Sequence, residues 1–96
     1  MTAKRIIQIL KEHKYILEKY KVKRIGLFGS YARGQQNALS DIDFLVEFKE
    51  PTFDNFMDLV FSLEDLLGKK VELITNGSLS PYIQPYVEKE VKWYEA

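Results

Sequence analysis

Two acidic residues have the spacing that metal-dependent chemistry requires. Asp41 and Asp43 lie two residues apart where an apolar run begins. In a β-strand this spacing sends both carboxylates to one face, with their Cα atoms about 7 Å apart. Magnesium prefers oxygen ligands and bridges carboxylates to substrate phosphates, so side chains at this distance can converge on one or two ions. The spacing therefore predicts a magnesium site.

A glycine–serine pair precedes these carboxylates and ends an earlier apolar run. Gly29 lets the backbone approach a ligand closely after a strand, and Ser30 adds a hydroxyl at the same place. If a helix begins after Ser30, its free N–H groups favour an anion at that position. The two pairs together predict a triphosphate cradle beside a metal site, where catalysis consists mostly of positioning and charge neutralisation.

Two further charged residues have more than one interpretation. Glu72 lies between apolar Val71 and Leu73, so its carboxylate points to the opposite face of a strand. It could be a third metal ligand, a general base toward an incoming hydroxyl, or an exposed residue on an edge strand. Arg33 could neutralise phosphate charge or tie down the loop through backbone carbonyls.

The elements that must position these residues follow from the apolar patterning. Within the first strand, simple alternation places Val22 and Arg24 on one face. The order of elements predicts an α/β (α+β) fold, a small mixed sheet of three to four strands with helices packed on it, in one domain over residues 1–96. The predicted elements are a helix over 2–20, strands over 22–28 and 42–48, a helix over 53–67 ending at Gly68, a strand over 70–75, a helix opened by Ser80 and Pro81, and a final strand or extended tail over 91–94.

Charge balance and cysteine content argue against several classes of protein. Fourteen basic residues balance fourteen acidic ones, so we expect no extended nucleic-acid footprint. The absence of cysteine rules out disulfides and thiolate metal sites. No apolar run reaches the length of a membrane span, and the amino terminus does not look like a secretory signal. We therefore expect a cytoplasmic protein without a membrane partner.

A longer motif around the glycine–serine pair resembles a known family. Gly-Ser, then ten intervening residues, then Asp-x-Asp resembles the signature of the DNA polymerase β-like nucleotidyltransferases. The longer string GSYARGQQNALSDIDFLV looks like the minimal nucleotidyltransferases within that superfamily. The resemblance extends over nearly the whole chain and includes the segments GLFGS, VELIT and SPYIQPYVEKEV. Proteins of this kind act as antitoxins to HEPN-domain partners.

The resemblance implies a reaction and a role for each site residue. Gly29 and Ser30 would contact the phosphates of ATP, with Arg33 as a further nucleotide-binding candidate, and Asp41, Asp43 and Glu72 would be the catalytic carboxylates that hold two Mg²⁺ ions. Aspartate is the more usual residue at the position of Glu72, which is one methylene longer. The implied reaction is transfer of AMP from ATP to a tyrosine hydroxyl of a HEPN toxin, which blocks the ribonuclease activity of that toxin.

Two other functions stay open at this point. The domain could neutralise its partner by binding alone, with vestigial carboxylates. It could also modify a hydroxyl of a small molecule, although 96 residues leave little room for an acceptor domain. A set of aromatic residues could line an adenine pocket or a partner surface, or could belong to the core and its rim. These are Tyr31, Tyr82, Tyr86, Trp93 and Tyr94.

Overall fold

The chain forms a four-stranded mixed sheet with helices packed on it, which confirms the predicted fold class. The computed structural model describes residues 1–95. None of the helices in that part of the chain combines the length and the apolar character that a membrane span requires. The elements in chain order are α1 (Ala3–Glu12), α2 (Lys14–Lys19), β1 (Val22–Phe28), α3 (Gly29–Arg33), β2 (Ile42–Phe48), α4 (Phe53–Leu67), β3 (Val71–Thr75), a 3₁₀ turn (Asn76–Ser78), α5 (Gln84–Glu90) and β4 (Lys92–Glu95).

The order of strands in the sheet is β3-β2-β1-β4. β1 pairs antiparallel with both β2 and β4, whereas β2 and β3 are parallel and are connected through α4. The register sets Phe28 opposite Asp43, and Asp43 opposite Glu72. The carboxyl end of β1 and the amino ends of β2 and β3 therefore meet at one end of the sheet, where the predicted site residues lie.

The main core lies on one face of the sheet, beneath α1, α2 and α4. Helical spacing gives each of these helices an apolar face, and packing against the sheet buries it. Leu59 and Leu63 of α4 are fully buried there, as is Phe44 of β2. The main-core members that are least exposed are Ile6, Leu10, Leu17, Val22, Ile25, Leu27, Tyr31, Ile42, Phe44, Val46, Leu59 and Leu63.

A smaller apolar cluster occupies the middle of the opposite face. Leu45 of β2 packs with Leu79 and with Val87 of α5, and Trp93 is among the partly buried residues around them. Side chains alternate along β2, so Asp43 and Glu47 share this face with Leu45 and flank it on either side. The cluster therefore separates two polar ends of one sheet face.

The amino-terminal helix differs from its prediction. A single helix over residues 2–20 is wrong, because α1 ends at Glu12 and α2 begins at Lys14. His13 lies between them with non-helical dihedral angles (φ −122°, ψ 32°), and its Nδ1 lies 2.9 Å from the Ile9 carbonyl oxygen. The apolar spacing runs through the break, so the two short helices still bury one continuous stripe.

Two details of the strands and of the last helix also differ from expectation. The register of β1 against β2 shifts between Val22 and Arg24, so Val22 turns into the main core instead of sharing a face with Arg24. The last helix begins at Gln84, after a turn over residues 81–83, and not at Pro81. Residues 92–95 pair with β1, which decides between a final strand and an extended tail in favour of a strand.

Candidate active site

Two of the three predicted carboxylates, Asp43 and Glu72, meet at the end of the sheet where β2 and β3 begin. Parallel pairing places Asp43 directly opposite Glu72, and the negative charge of Glu72 acts on the Asp43 carboxylate. Glu72 is also exposed, and β3 is an edge strand. Glu72 therefore lies on a solvent-exposed edge strand and directly opposite Asp43, and its role as metal ligand or base stays a prediction.

The electrostatics of this pair are unfavourable as they stand. The pKa of Asp43 is raised from 3.8 to about 6, first by burial, then by the negative charge of Glu72 and the hydrogen bond to it, and then by the charge of Asp41. The positive charge of Arg33 opposes this rise. Nearby like charges and loss of solvent both disfavour an ionised carboxylate. A bound cation would relieve the repulsion.

Gly29 is required at its position for two separate reasons. Its φ of +74° lies in the left-handed region, and a Cβ atom there would overlap the Asp43 carboxylate. The helix α3 begins at Gly29 itself, two residues earlier than the predicted start after Ser30. The turn that the sequence suggested for phosphate thus lies in direct contact with the carboxylate that it suggested for metal.

Asp41 takes no part in the strand pairing that sets Asp43 opposite Glu72. It is exposed and immediately precedes β2, although its charge still acts on Asp43. Over residues 1–95 no three carboxylate, imidazole or thiol groups are arranged closely enough to hold a metal ion together. Carboxylate oxygens are nevertheless the ligands that magnesium prefers, and this ion usually keeps waters and substrate phosphates in its remaining positions. The donor set of Asp43 and Glu72, with Asp41 nearby, fits that coordination habit.

Arg33 braces the loop that it belongs to. Its Nη1 lies 3.1 Å from Oε2 of Glu90, and its Nε donates to Oε1 of Gln35 at 3.2 Å. The bracing partners are side chains and not the backbone carbonyls considered from the sequence. Glu90 also accepts a hydrogen bond from the backbone N–H of Gly29 at 3.0 Å. Glu90 could not be recognised from the sequence, because no local pattern links the carboxy-terminal helix to the glycine–serine turn.

The five aromatic candidates divide into two groups. Tyr31 is buried in the main core, and Tyr94 and Trp93 are partly buried against the two apolar clusters. Tyr82 and Tyr86 are exposed, at 87% and 72% of their surface. The first three residues are therefore structural, and the last two are available to a partner.

A cavity of about 490 Å³ opens at the other end of the same sheet face. Its lining includes Lys23, Glu47, Asn76 and Gln84. Neither Asp43 nor Glu72 contributes to it. The cavity is therefore separate from the acidic site, which lies where β2 and β3 begin.

Comparison of this chain with known proteins identifies its family. The profile of the nucleotidyltransferase domain matches residues 4–94. MJ1379 of Methanocaldococcus jannaschii, which carries the name protein adenylyltransferase, is 50% identical over 95 residues, covering 94% of this chain and 95% of its own. The protein adenylyltransferase MntA of Thermococcus cleftensis is 43% identical over 93 residues, covering 95% and 94% of the two chains.

Solved structures agree with the sequence relatives. A minimal nucleotidyltransferase superimposes with a TM-score of 0.80 at 29% identity, covering 96% of this chain and 95% of the other. A toxin–antitoxin structure with AMP-PNP gives a TM-score of 0.72 at 27% identity, covering 90% and 73%. Since the family profile and the relatives span nearly the whole chain, the protein belongs to the nucleotidyltransferase family, among its minimal protein adenylyltransferases.

Proposed function

We propose that this protein is the antitoxin of a toxin–antitoxin pair and transfers AMP from ATP to a tyrosine hydroxyl of a HEPN-domain toxin, with magnesium as cofactor. One observation carries the proposal more than any other. The Asp43 carboxylate lies against the Gly29 turn on one side and against Glu72 on the other. A phosphate held by the turn and a cation held by the carboxylates would then be neighbours.

In the proposed site each residue has a role that its position supports. Asp43 and Glu72 would hold magnesium with help from Asp41. Ser30 would donate to the phosphates, and Gly29, which has no side chain, would let them approach the backbone closely. Bound magnesium would neutralise charge on the triphosphate and orient it. The backbone N–H of Ser30 lies in the first turn of α3 and so lacks an acceptor within the helix, which leaves it free to donate to a phosphate oxygen.

The proposed reaction is an in-line displacement at the α-phosphorus of ATP. The tyrosine oxygen forms a bond to this phosphorus, while the bond from the α-phosphorus to its bridging oxygen breaks. The electron pair leaves with pyrophosphate, and the hydroxyl proton passes to a carboxylate at the site. Glu72 is the candidate base, because it is exposed at the sheet edge where an acceptor can approach.

The relatives support both the partner and the nucleotide of this proposal. Relatives with 50% and 43% identity carry the name protein adenylyltransferase. A solved neighbour is a toxin–antitoxin structure that contains AMP-PNP. The exposed Tyr82 and Tyr86 offer a surface that a protein partner could contact. A cytoplasmic location stays a prediction from the sequence.

The direct test follows label from ATP to the co-purified partner toxin. With ATP labelled at the α-phosphate, wild-type protein should label the toxin in the presence of Mg²⁺, and the double variant Asp41→Asn with Asp43→Asn should not. ATP labelled at the γ-phosphate should leave the toxin unlabelled, since that phosphate departs in pyrophosphate. Mass spectrometry of the labelled toxin should locate AMP on tyrosine.

A matched control separates loss of chemistry from loss of folding. Asp58→Asn removes an exposed carboxylate from α4, outside the site, and should leave labelling unchanged. Equal labelling by wild type and the double Asn variant would contradict the proposed mechanism. If the double variant rescues cell growth without labelling the toxin, neutralisation works by binding alone and not by AMP transfer.

A further inference from the structure

Glu90, the last residue of α5, contacts the Gly29–Ser30 turn, which is distant in sequence. Oε1 of Glu90 accepts the Gly29 amide proton at 3.0 Å, and its two carboxylate oxygens lie 3.3 and 3.1 Å from Nη1 of Arg33. The Glu90 side chain is 24% exposed, against 47% for Arg33. A half-buried carboxylate thus joins both ends of α3 in one set of charge-assisted hydrogen bonds.

The helix that carries Glu90 is fixed on the strand that carries Asp43. Val87, three residues earlier in α5, is buried against Leu45 of β2. Leu45 lies two residues from Asp43 on the same face of that strand. The position of the Glu90 carboxylate relative to the Asp43 carboxylate is therefore set by packed elements and not by a loop.

A second set of bonds closes the other side of the turn. Gln35 accepts from Nε of Arg33 at 3.2 Å, and its backbone N–H donates to the Ser30 carbonyl oxygen at 2.9 Å. The guanidinium of Arg33 is consequently held between Gln35 and Glu90.

We propose that Glu90 is a positioning residue that aligns the Gly29–Ser30 turn with the Asp43 carboxylate, acting through the Gly29 amide and through Arg33. The proposal rests on the proposed function, because the turn must hold phosphate for its alignment to affect AMP transfer. Alignment of reacting groups is worth large factors in rate, so a small displacement of the turn lowers kcat.

The same contact could serve the opposite purpose, with the carboxylate filling a phosphate position until nucleotide displaces it. Two observations favour positioning. Glu90 would have to leave its ion pair with Arg33 as well as the amide in order to vacate the turn. It is also carried by a helix anchored through Val87, which restricts its movement. The two roles predict opposite changes in nucleotide affinity when Glu90 is removed.

The experiment compares Glu90→Ala and Glu90→Gln with wild type in AMP transfer to the partner toxin. Glu90→Ala should lower kcat about ten- to hundredfold, the range expected for losing a hydrogen bond to a charged group. Glu90→Gln keeps an oxygen acceptor for the Gly29 amide and should recover most of kcat. Arg33→Ala should resemble Glu90→Ala, and the double variant should cost no more than the worse single variant, since the two act as one unit. Glu88→Ala, an exposed carboxylate of the same helix, should behave as wild type.

Two readouts independent of transfer keep the outcomes distinct. In NMR spectra of the free protein, Glu90→Ala should move the Gly29 amide proton upfield and speed its exchange, and Glu88→Ala should not. Binding of Mg²⁺ with α,β-methylene ATP should weaken in Glu90→Ala. Unchanged kcat with tighter nucleotide binding would overturn positioning in favour of a competing carboxylate, and an unchanged Gly29 amide would also overturn it. If wild type transfers no AMP, the proposed function fails, while the amide shift still decides whether Glu90 fixes the turn.

Discussion

Asp43 and Glu47 are two carboxylates of one strand that share a face of the sheet, yet their surroundings are opposite. Glu47 is paired with Arg24, whose guanidinium stacks on Trp93 at 3.7 Å from the ring centroid. Asp43 has Glu72 as its neighbour and the charge of Asp41 nearby. The pKa of Glu47 is lowered by the hydrogen bond from Arg24, whereas burial and like charge raise the pKa of Asp43 to about 6.

The difference separates a carboxylate whose counter-charge lies within the chain from one that we propose binds a ligand. Glu47 has its counter-charge within the chain and needs no ligand. Arg33, whose positive charge opposes the rise in the Asp43 pKa, is already paired with Glu90. Perturbed carboxylates without an internal partner are typical of functional sites. The comparison predicts that changes at the two ends of β2 separate activity from stability.

The largest expected effect is on activity at the acidic end. Asp43→Asn should lower kcat/KM for AMP transfer on the order of 10²–10³-fold, since it removes a charge that would hold the metal–nucleotide complex. Glu47→Gln should leave kcat/KM within about twofold of wild type, because its role is internal to the sheet. Transfer assays with α-labelled ATP measure both variants. Similar losses in both would show that the two ends are not functionally different.

Gly29 and Gly34 allow backbone strain to be separated from contact with Asp43. Gly29 and Gly34 both have positive φ, at +74° and +71°, but a Cβ meets Asp43 at Gly29 and nothing within 4 Å at Gly34. Gly34→Ala should cost about 1–2 kcal/mol of backbone strain. Gly29→Ala should cost about 1–3 kcal/mol more through overlap, and should also abolish AMP transfer. Urea denaturation monitored by circular dichroism gives both free energies of unfolding; equal values would mean that Asp43 does not lie against Gly29.

The pH dependence of stability should have opposite signs at the two carboxylates. Asp43 holds its proton in the folded state up to about pH 6, whereas the unfolded chain releases it near 3.8. Its contribution to the free energy of unfolding is therefore lost as the pH rises through that window. Glu47, with a lowered pKa, stabilises the fold above its ordinary value of 4.5, and that stability is lost as the pH falls.

The sign can be read from single variants in metal-free buffer. At pH 7, Asp43→Asn should raise the free energy of unfolding by about 1 kcal/mol after allowance for solvent screening, and the gain should vanish near pH 4. Glu47→Gln should lower it at pH 7. Thermal melts in EDTA across this pH range, taken as differences from wild type, measure both. A destabilised Asp43→Asn protein at pH 7 would mean that the acidic pair is not repulsive.

The smallest expected effect lies at the basic partner of Glu47. Arg24→Lys keeps the charge but loses the planar group that stacks on Trp93 and bonds Glu47. Stability should fall by about 0.5–1 kcal/mol, and AMP transfer should not change. Denaturant melts and the transfer assay run in parallel would check this. A marked loss of transfer would place the Arg24–Glu47 pair within the functional site.

The proximity of the Gly29 turn to Asp43 could be predicted because the residues involved are close in sequence. Gly29, Ser30, Asp41 and Asp43 fall within one short segment, where strand alternation and glycine chemistry are local properties. The contact of Glu72 with Asp43 depended on β3 lying beside β2, which sequence alone left open. It follows here from a parallel β-α-β connection through α4.

What could not be predicted depends on contacts between distant segments. Glu90 reaches Gly29 across 61 residues, and nothing in the pattern around either residue indicates that pairing. The break at His13 was also hidden, because the apolar residues keep helical spacing on both sides of it. The shift of Val22 into the core results from a register irregularity between two paired strands, which alternation within one strand does not indicate.

An equilibrium titration with α,β-methylene ATP, which cannot transfer AMP, tests most directly whether Asp43 holds the metal against the Gly29 turn. Calorimetry should show that wild type binds this nucleotide with Mg²⁺ and much more weakly in EDTA, while Asp43→Asn fails to gain affinity from Mg²⁺. Glu47→Gln should bind as wild type does. Asp43→Asn that binds with the same magnesium dependence as wild type would contradict the claim that Asp43 holds the metal against the Gly29 turn.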